Sequence, residues 1–399
     1  MSEPQLVPND DDRRAADWLT RNVADALPAG ALVKQLARAR VEARPLRAKI
    51  GLDPTAPDIH LGHTVVLQKL RELQDAGQHV VLLIGDMTAR VGDPSGRDTT
   101  RPVLDDAAID ANAATYQEQA FKVLDPERVE VVRNSDWLDL SLSELFALLR
   151  TTTVAQLLER DDFAKRFAAH RPITVLELLY PMMQAYDSVA IRADIELGGT
   201  DQKFNLLLGR DMQRAYGQPE QSILTMPILP GLDGERKMSK SLGNQIGVRD
   251  APDEMYGKVL SIPDAAMPQY FDLLLGEGLP TDIGPRDAKH QLARRLVERF
   301  HDADAAASAA AAFERVFVDK ALPDDIPEVE VRAGEVHLPA VLASAFGESR
   351  SAARRLLVQG AVRCDGDVLP GEPLDVAAAS LDGRVLQLGK RRFARVKVA

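Results

Sequence analysis

The sequence predicts an α/β protein whose first large domain is built on a parallel sheet, followed by an α-helical domain and a small α+β domain. Three consecutive stretches indicate the sheet: a strand-like segment LRAKIGLDP, an amphipathic helix HTVVLQKLRELQDAG closed by Gly77, and the apolar run HVVLLIGD. A continuous apolar run is typical of a strand buried on both faces, as strands of parallel sheets are. The strand–helix–strand order is the repeating unit of such sheets.

Three further segments, RVEVVRNSD, ADIELGG and SILTMPILP, have the composition of strands. Residues from about 110 to 190 are mostly helical in pattern and interrupt the strand order, as a helical insertion would. We expect a helical lead-in over 1–45, the sheet domain with its insertion over 46–245, a helical domain over 246–320, a linker over 321–334 and a small domain over 335–399. In the small domain, two short helices precede a hairpin that turns at Asp365–Gly366.

Polar or glycine-rich clusters follow the apolar runs: GLDPT after residue 50, GDPSGR after 91, NSDW after 133 and GGTDQ after 197. In a doubly wound sheet, ligands bind at the carboxyl ends of the strands. We therefore expect the four clusters to meet in one crevice of a Rossmann-like domain.

The net charge of the chain, −11, argues against nonspecific DNA binding as the main activity. Residues 331–399 differ from the rest: they hold 11 Lys/Arg and 7 Asp/Glu, which is +4, so the remainder carries −15. A basic end on an acidic body predicts a local contact with a polyanion.

Cys364 is the only cysteine, so an intrachain disulfide and a cysteine-based metal site are both excluded. A reducing cytosol suits such a chain, and we expect a cytoplasmic location. No stretch approaches the ~18 consecutive apolar residues of a membrane span. The N-terminus lacks the basic start and apolar run of a secretory signal, so we expect no membrane partner.

The segment HLGH places His60 and His63 three residues apart, at the start of the helix that follows the first strand. Both imidazoles then lie on one side of the helix, beside free N–H groups that attract phosphate. Gly62 would let a ligand approach the backbone closely. A metal pair or two surface histidines would have the same spacing, although no third metal ligand stands nearby.

A second segment, GERKMSKSLGNQIG, is flanked by Gly234 and Gly243 and carries Lys237 and Lys240. A glycine-hinged loop with two lysines would suit a mobile cationic lid over phosphates. An ordinary solvated basic loop would have the same composition.

The two segments together, about 175 residues apart, resemble the HIGH and KMSKS motifs of class I aminoacyl-tRNA synthetases. The second motif is matched in every letter, whereas Leu61 replaces an isoleucine in the first. Three more stretches, LYPMMQAYD, GDPSGR and GGTDQKFN, resemble the bacterial type of tyrosyl-tRNA synthetase. The resemblance covers residues 46–270 well and the C-terminal domain more loosely.

Tyr180, Gln184 and Asp187 interrupt the apolar stretch LLYPMMQAYDSVAI at spacings of four and three. A helix places them on one stripe, where they need hydrogen-bonding partners. A polar helix face or a satisfied buried network would explain them without a ligand. The resemblance implies that Tyr180, Gln184 and Asp93 hold the ammonium of tyrosine. It also implies that Asp187 accepts a hydrogen bond from the phenol, so that phenylalanine is rejected.

The resemblance further implies an adenylate site. Its predicted residues are Gly51, Asp53, Thr55, Gly62, Gly199, Asp201 and Lys240, with Gln202 at the amino-acid end. Turn chemistry alone would also explain the Asp–Pro dipeptides. The chain departs from many relatives at Lys49, where they carry a tyrosine that donates to the phenol oxygen. A lysine there could pair with Asp187 or donate to the phenol.

The C-terminal domain resembles a small RNA-binding fold shared with a ribosomal small-subunit protein. In the segment SRSAARRLLVQGAVRCDGDVL, Arg350, Arg354 and Arg355 would lie on a helix face and reach RNA phosphates. A solvated basic helix would have the same pattern.

The resemblance implies an enzyme that joins L-tyrosine to ATP, releases pyrophosphate and transfers the tyrosyl group to the 3′ end of tRNA(Tyr). The predicted catalytic residues are His60, His63, Thr55, Lys237 and Lys240. Magnesium would arrive on ATP, with no metal site on the protein, and the helical insertion would form a homodimer. Two alternatives stay open: a tryptophanyl-tRNA synthetase, since an indole N–H could also donate to Asp187, and a catalytically silent RNA-binding paralogue.

Overall fold

The computed structural model describes residues 7–55, 57–94, 105–315, 326–389 and 392–399. The chain divides into two compact units, residues 1–310 and 311–399. Within the described ranges, no helix combines the length and the apolar character needed to cross a membrane.

The first unit is organised around a six-stranded sheet. Its strands are β1 (Asp25–Leu27), β2 (Arg47–Leu52), β3 (His79–Ile84), β4 (Val129–Arg133), β5 (Ile195–Gly199) and β6 (Ser222–Met226). They stand in the order β1-β6-β5-β2-β3-β4, and every pair is parallel except β1 with β6. The chain runs from β2 to one edge and returns on the other side of β2 with β5 and β6. The strand order therefore reverses beside β2, where α/β sheets bind ligands.

Helices cover the sheet and continue after it. They are α1 (Asp10–Leu19), α2 (Ala31–Val41), α3 (Leu61–Asp75), α4 (Asp86–Val91), α5 (Asp106–Ala120), α6 (Ser135–Leu138), α7 (Leu142–Leu149), α8 (Val154–Leu157), α9 (Asp161–Ala168), α10 (Val175–Ile191), α11 (Lys203–Ala215), α12 (Pro252–Ser261), α13 (Met267–Tyr270), α14 (Pro285–Phe300) and α15 (Ala303–Phe313). A π-helical stretch, Phe271–Leu275, follows α13. The strongly helical pattern predicted after residue 250 is confirmed over the described residues.

Helix α10 carries the stripe singled out in the sequence, and its ends are well defined. Thr174 and Glu177 form a reciprocal capping box at its start, which satisfies backbone N–H groups that have no partner within the helix. The buried Arg166 guanidinium pairs with Glu177 at 2.7 Å and fixes the same end. One face of α10 packs against α11 through Met182, Ala185 and other apolar side chains. The polar stripe is thereby turned toward the sheet.

The five strands predicted for the sheet are confirmed, but two local predictions were wrong. The helical pattern of RAADWLTRNVADAL ends at Leu19, and Asp25–Leu27 is a short strand paired with β6. Strand β4, one of the five predicted strands, lies inside the stretch from 110 to 190, which is otherwise mostly helical as expected. The described start of GDPSGR, residues 92–94, follows α4 rather than a strand, because the six residues of α4 stand between β3 and Gly92. Short elements such as these depend on tertiary pairing that periodicity does not reveal.

The second unit is a small α+β fold with its own core. Its elements are β7 (Glu328–Val331), β8 (Glu335–His337), α16 (Leu338–Phe346), α17 (Arg350–Val358), β9 (Val362–Cys364), β10 (Asp367–Val368), β11 (Asp375–Ala377), β12 (Val385–Leu388) and β13 (Arg392–Val398). Five strands form a sheet in the order β10-β9-β12-β13-β7, and β8 pairs with β11. Buried side chains from Val329 to Val396 form one cluster between helices and sheet.

The predicted hairpin is present, whereas the linker prediction was partly wrong. Asp365 and Gly366 have φ angles of 49° and 94° between β9 and β10, as a tight hairpin turn requires. Residues 321–325 lie outside the described ranges, but Glu328–Val331 is a strand parallel to β13. Its alternation of Glu and Val is a strand pattern that the acidic, proline-containing surroundings obscured in the sequence.

Candidate active site

A cleft with a cavity volume of about 270 Å³ opens at the carboxyl ends of the central strands of the first unit. Fourteen of the predicted residues line it: Gly51, Asp53, Thr55, His60, Gly62, His63, Asp93, Tyr180, Gln184, Asp187, Gly199, Asp201, Gln202 and Lys237. Asn134 and Trp137 of the NSDW cluster bond to Asp187 in its wall. The described residues of the four polar clusters thus converge, as expected from the sequence.

Gly51 forms the floor of this cleft. It is exposed although it belongs to β2, in the middle of the sheet. A Cβ placed there would meet only Leu83, at an ordinary 3.5 Å, and otherwise open space. The glycine therefore leaves room for a ligand to lie against the backbone of the central strand.

Asp53 connects the sheet to the stripe on α10. Its two carboxylate oxygens accept the hydroxyls of Thr88 and Tyr180, each at 2.8 Å. Gly85 lies so close that an added Cβ would stand 2.2 Å from Asp53 Oδ1 and 2.4 Å from Thr88 Oγ1. Burial, together with the charge of Asp53, raises the pKa of Tyr180 well above its usual value. The phenol therefore stays protonated, donates to Asp53, and presents its oxygen as an acceptor.

Asp93 is held from the opposite side of the cleft. Arg160 Nη2 and Gln202 Nε2 both donate to its carboxylate at 3.0 Å. Asn205 then links the neighbouring amides, since its Nδ2 donates to Gln184 at 2.7 Å and to Gln202 at 3.0 Å. Carboxylate and amide oxygens thus gather at one end of the stripe, an arrangement that suits an ammonium group.

Arg160 and Asn205 were not predicted from the sequence. Arg160 is 5 % exposed and precedes α9, far along the chain from both Asp93 and Asn205. A lone arginine at a helix start has no periodic or motif signal, so only the tertiary fold could reveal it. Asn205 belongs to KFN, directly after the recognised GGTDQ cluster, and its position there was the available signal.

Asp187 lies at the other end of the stripe and is 2 % exposed. Trp137 Nε1 donates to one of its oxygens at 2.9 Å and Asn134 Nδ2 to the other at 3.3 Å. Burial raises the pKa of Asp187 to about 7, against the charge of Lys49 and these two donors. Each carboxylate oxygen retains a lone pair for one further donor.

Lys49 does not pair with Asp187. Its Nζ lies 2.9 Å from Glu196 Oε1, and both side chains are almost fully buried, at 1 % and 3 % exposure. Lys49 on β2 and Glu196 on β5 are direct partners in the parallel register. Lys49 is absent from the cleft wall, whereas Glu196 belongs to it. The lysine is thus held beneath the pocket by a partner that the sequence analysis missed.

His60 and His63 stand together at the start of α3, as predicted. Their ring centroids are 3.9 Å apart, and the His60 backbone N–H donates to His63 Nδ1 at 3.3 Å. Their enclosed position lowers the pKa of His63 to about 4 and that of His60 well below its usual value, with Lys237 adding to both shifts. Both rings are therefore neutral near pH 7 and act as hydrogen-bonding groups rather than cations.

Gly62 fits between these rings and the KMSKS loop. A Cβ at this position would stand 3.0 Å from two ring atoms of His60 and 3.6 Å from Met238 Cβ. The protein itself therefore leaves little room for a side chain at Gly62, even before a ligand binds.

The KMSKS loop brings one of its two lysines to the cleft. Lys237 lines the wall and pairs with Asp201, while Met238 is 1 % exposed and anchors the loop. Lys240 lies outside the wall, where its Nζ contacts Asp58 Oδ2 at 3.2 Å. In this arrangement the loop presents only its first lysine to a ligand.

Asn244 holds the loop and was not predicted. Its Oδ1 accepts the Ser239 backbone N–H at 2.8 Å, and its Nδ2 donates to Asp233 at 3.0 Å and to the Lys237 carbonyl at 3.2 Å. It is 4 % exposed. One buried side chain therefore closes both ends of the lysine-bearing turn.

The three predicted RNA-binding arginines belong to the second unit. Arg350, Arg354 and Arg355 are all exposed on α17. Arg350 and Arg354 are four residues apart and lie on the same helix face. Among the described residues, no group of three or more His, Cys, Asp or Glu side chains has a metal-binding arrangement.

Known proteins match this chain over most of its length. A family model described as tRNA synthetases class I (W and Y) matches residues 41–318. A tyrosine–tRNA ligase of Moorella thermoacetica is 51 % identical over 391 residues, which cover 95 % of this chain and 94 % of that protein. One of Bordetella avium is 51 % identical with 95 % of each chain covered. The chain belongs to the tyrosine–tRNA ligase family.

Solved structures of tyrosyl-tRNA synthetases support the same fold. One from Archaeoglobus fulgidus, complexed with L-tyrosine, has a TM-score of 0.59 at 24 % identity and covers 75 % of this chain and 100 % of its own. A C-terminally truncated mitochondrial one from Aspergillus nidulans has a TM-score of 0.61 at 22 % identity, covering 77 % and 94 %. The class I fold and the family predicted from HLGH and KMSKS are thereby confirmed. As a class I synthetase, the chain is a ligase that uses ATP.

Proposed function

We propose that this chain activates L-tyrosine with ATP to tyrosyl-adenylate and transfers the tyrosyl group to the 3′ end of tRNA(Tyr). One observation carries the proposal: the Tyr180–Gln184–Asp187 stripe lines the same cleft as His60 and His63. The stripe offers acceptors at both ends of an apolar slot, and the histidine turn offers donors beside it. Tyrosine has a cation at one end and a hydroxyl at the other, and ATP supplies the phosphates.

Tyrosine binds with its ammonium at the end where Asp93, Gln184 and the Tyr180 hydroxyl oxygen converge. Its phenol O–H donates to Asp187. Because Asp187 is buried, leaving its remaining lone pairs without a donor is costly. Phenylalanine has no hydroxyl to offer, so the pocket discriminates against it.

The tyrosine carboxylate then attacks the α-phosphorus of ATP. A new C–O–P linkage forms, the bond from the α-phosphorus to the bridging oxygen breaks, and pyrophosphate leaves with that electron pair. No protein nucleophile takes part, so the contribution of the chain is positioning and stabilisation of charge on the phosphates. In the second step the terminal adenosine hydroxyl of the tRNA attacks the carbonyl carbon and AMP leaves.

Thr55, His60 and His63 act on the phosphates from the fixed wall of the cleft, the two imidazoles as neutral donors. Asp53, Gly51 and Gly62 hold the adenylate close to the backbone, and Gly199, Asp201 and Gln202 hold the ribose and the amino-acid end. Lys237 acts from the loop, exchanging its contact with Asp201 for phosphate.

Lys240 contributes only when the KMSKS loop moves, since its ammonium now contacts Asp58 outside the cleft wall. Lys240→Ala should slow adenylate formation and leave tyrosine binding nearly unchanged. Unchanged pyrophosphate exchange would remove this lysine from the mechanism.

Magnesium arrives on the phosphates of ATP and balances their charge there. The cleft carboxylates are poorly suited to hold a metal ion directly, because Asp53, Asp93 and Asp201 each already accept hydrogen bonds from protein donors. The chain therefore binds the metal through its substrate.

The tRNA body contacts the helical segment after the sheet and the basic stretch 331–399 of the second unit, with Arg350, Arg354 and Arg355 on its phosphates. The helical insertion forms a homodimer. Seven large apolar side chains between residues 142 and 176 are more than a third exposed: Leu142, Phe146, Leu149, Val154, Phe167, Val175 and Leu176. Sedimentation velocity tests this, and a monomer at micromolar concentration would contradict it. We also propose that the protein is located in the cytoplasm.

The proposed function is tested by ATP–pyrophosphate exchange run with each of the twenty amino acids. We expect exchange with tyrosine far above all others. Exchange with tryptophan instead would support the tryptophanyl alternative, and no exchange with any amino acid would support the silent RNA-binding paralogue. The intact pairs His60/His63 and Lys237/Lys240 speak against the latter.

A further inference from the structure

Two buried charges lie beneath the phenol end of the proposed tyrosine pocket, and the mechanism above does not use them. Lys49 and Glu196 face each other on neighbouring parallel strands, with 2.9 Å between Nζ and Oε1. Burying an ion pair costs several kcal/mol per ion in desolvation, and apolar residues of similar volume are often as good for stability. Their position beside Asp187 gives them a second effect besides stability.

Two structural links tie this pair to Asp187. Glu196 and Asp187 both line the cleft. Ser188, the next residue of α10, donates its hydroxyl to Glu196 Oε2 at 3.0 Å. Gln221 donates to the same oxygen and fixes the carboxylate from β6's side of the sheet. Glu196 therefore cannot turn away from Lys49 without breaking contacts on two other elements.

The charges that act on Asp187 come from two neighbouring strands. Lys49 on β2 favours its ionised form, whereas Glu196 on β5 opposes it. From the α6 segment, Asn134 and Trp137 supply neutral donors to the ionised form. Burial favours the protonated form and is the largest influence on Asp187. The balance is close enough that a change of one neighbouring charge decides which form prevails near neutral pH.

We propose that Lys49 and Glu196 are positioning residues for tyrosine specificity: the Lys49 ammonium keeps Asp187 ionised as the acceptor of the phenol hydrogen, and Glu196 holds and moderates that ammonium. This inference rests on the proposed function. It differs from a direct contact of Lys49 with the phenol, because Lys49 lies outside the cleft wall.

The inference predicts opposite effects for the two charges. Tyrosine binds when Asp187 is ionised, so affinity is full above the pKa of this carboxyl and falls about tenfold per pH unit below it. Lys49→Met removes the favourable charge and should move the onset of weakening to higher pH. Glu196→Gln removes the opposing charge and should move the onset to lower pH. A nearby charge shifts a carboxyl pKa by about one unit or more, so shifts of about one pH unit are expected.

The test is equilibrium binding of labelled tyrosine to the full-length protein between pH 5.5 and 8.5. Wild type, Lys49→Met, Glu196→Gln and Lys49→Met/Glu196→Gln are compared. The double variant leaves no unpaired buried charge, so it should fold even if Lys49→Met does not. The influence of Lys49 on Asp187 exceeds that of Glu196. In the double variant, tyrosine affinity should therefore begin to fall at a higher pH than in wild type.

A matched control is available in Lys69→Met. Lys69 is also buried, at 2 % exposure, and pairs with Glu72 at 2.7 Å on α3, outside the cleft wall. This variant should lose stability but keep the wild-type pH profile of tyrosine binding.

Several results would overturn the inference. One is a pH profile of tyrosine affinity that begins to fall at the wild-type pH in both Glu196→Gln and the double variant. Another is a tyrosine affinity that Lys49→Met weakens equally at all pH values, which would mean that Lys49 contacts the phenol directly. If wild type does not bind tyrosine or exchange pyrophosphate with it, the proposed function fails, and this inference fails with it.

Discussion

At the scale of single residues, Asp187 decides how much the pocket gains from the phenol hydroxyl. Trp137 and Asn134 each donate one N–H to it, and Lys49 pairs with Glu196 rather than with it. A tyrosine hydroxyl is therefore an additional donor to a buried carboxylate, the kind of hydrogen bond that contributes most to discrimination.

Asp187→Asn should lower the preference for tyrosine over phenylalanine, expressed as the ratio of kcat/KM values, by about 10- to 100-fold. It should also abolish the pH dependence of tyrosine affinity near pH 7, because the titrating group is gone. Both are measured by pyrophosphate exchange between pH 6 and 8. The control is Asp12→Asn, a buried aspartate on α1 that pairs with Arg40. If Asp187→Asn left the ratio of kcat/KM values unchanged, this carboxylate would not contribute to the preference for tyrosine.

The histidine turn leads to a separate prediction. Since the pKa of His63 is about 4 and that of His60 is also strongly lowered, neither ring titrates between pH 6 and 8. With tyrosine and ATP saturating, kcat for adenylate formation should show no histidine inflection in this range. An inflection near pH 6.5 that disappears in His60→Asn would contradict the neutral-donor role.

The residues of the cleft differ in how far the sequence could predict them. His60, His63 and the stripe on α10 were recognisable because helical spacing and motif order place them together. Arg160 and Glu196 were not, since each acts through a partner that only the folded chain brings near. The pairing of Lys49 with Asp187 was a reasonable expectation, but Glu196 stands in direct register with Lys49 and takes the contact.

At the scale of elements, the KMSKS loop depends on one buried amide. Asn244 accepts from Ser239 and donates to the Lys237 carbonyl, so it sets the path of the turn that carries both lysines. The lysines and the flanking glycines were recognisable in the sequence, whereas Asn244 lacked a signal because its partners are backbone atoms and the Asp233 side chain, which only the folded loop brings near.

Asn244→Ala should reduce kcat for adenylate formation by about 10- to 100-fold, because a catalytic group displaced by about 1 Å can cost that much. Tyrosine affinity should stay within about threefold of wild type, since Asn244 is not among the residues that line the cleft. Asn9→Ala, which removes the cap of α1, is a control for stability alone. If both variants lowered kcat equally, the loop would not be the cause.

The strands were predictable to the extent that they were long and buried. All five long runs became strands of one sheet, and their carboxyl ends form the cleft. The short strands β1 and β7 were missed because each is defined by a distant partner, β6 and β13 respectively.

At the scale of the whole molecule, the proposed activation site belongs to the first unit, and a basic stretch, residues 331–399, belongs to the second. The second unit has a continuous core between Val329 and Val396, so it has the means to fold on its own. The charge contrast between residues 331–399 and the rest was visible in the sequence, and it is the property that favours tRNA as the partner of this unit.

Removing residues 311–399 should therefore leave pyrophosphate exchange within about threefold of full length and weaken tRNA charging by more than about tenfold, because phosphate contacts supply much of the affinity for nucleic acids. Arg350→Ala/Arg354→Ala in the full chain should weaken charging without affecting exchange. Equal loss of exchange and charging in the truncated chain would mean that the second unit is structural.

In the proposed function, one cleft holds tyrosine along the α10 stripe and its activated carboxylate at the histidine turn. A crystal structure with a non-hydrolysable tyrosyl-adenylate analogue tests it most directly. We expect the phenol oxygen within hydrogen-bonding distance of Asp187, the ammonium near Asp93 and Gln184, and the phosphate beside His60 and His63. An analogue bound elsewhere, or bound with its phenol away from Asp187, would contradict the account.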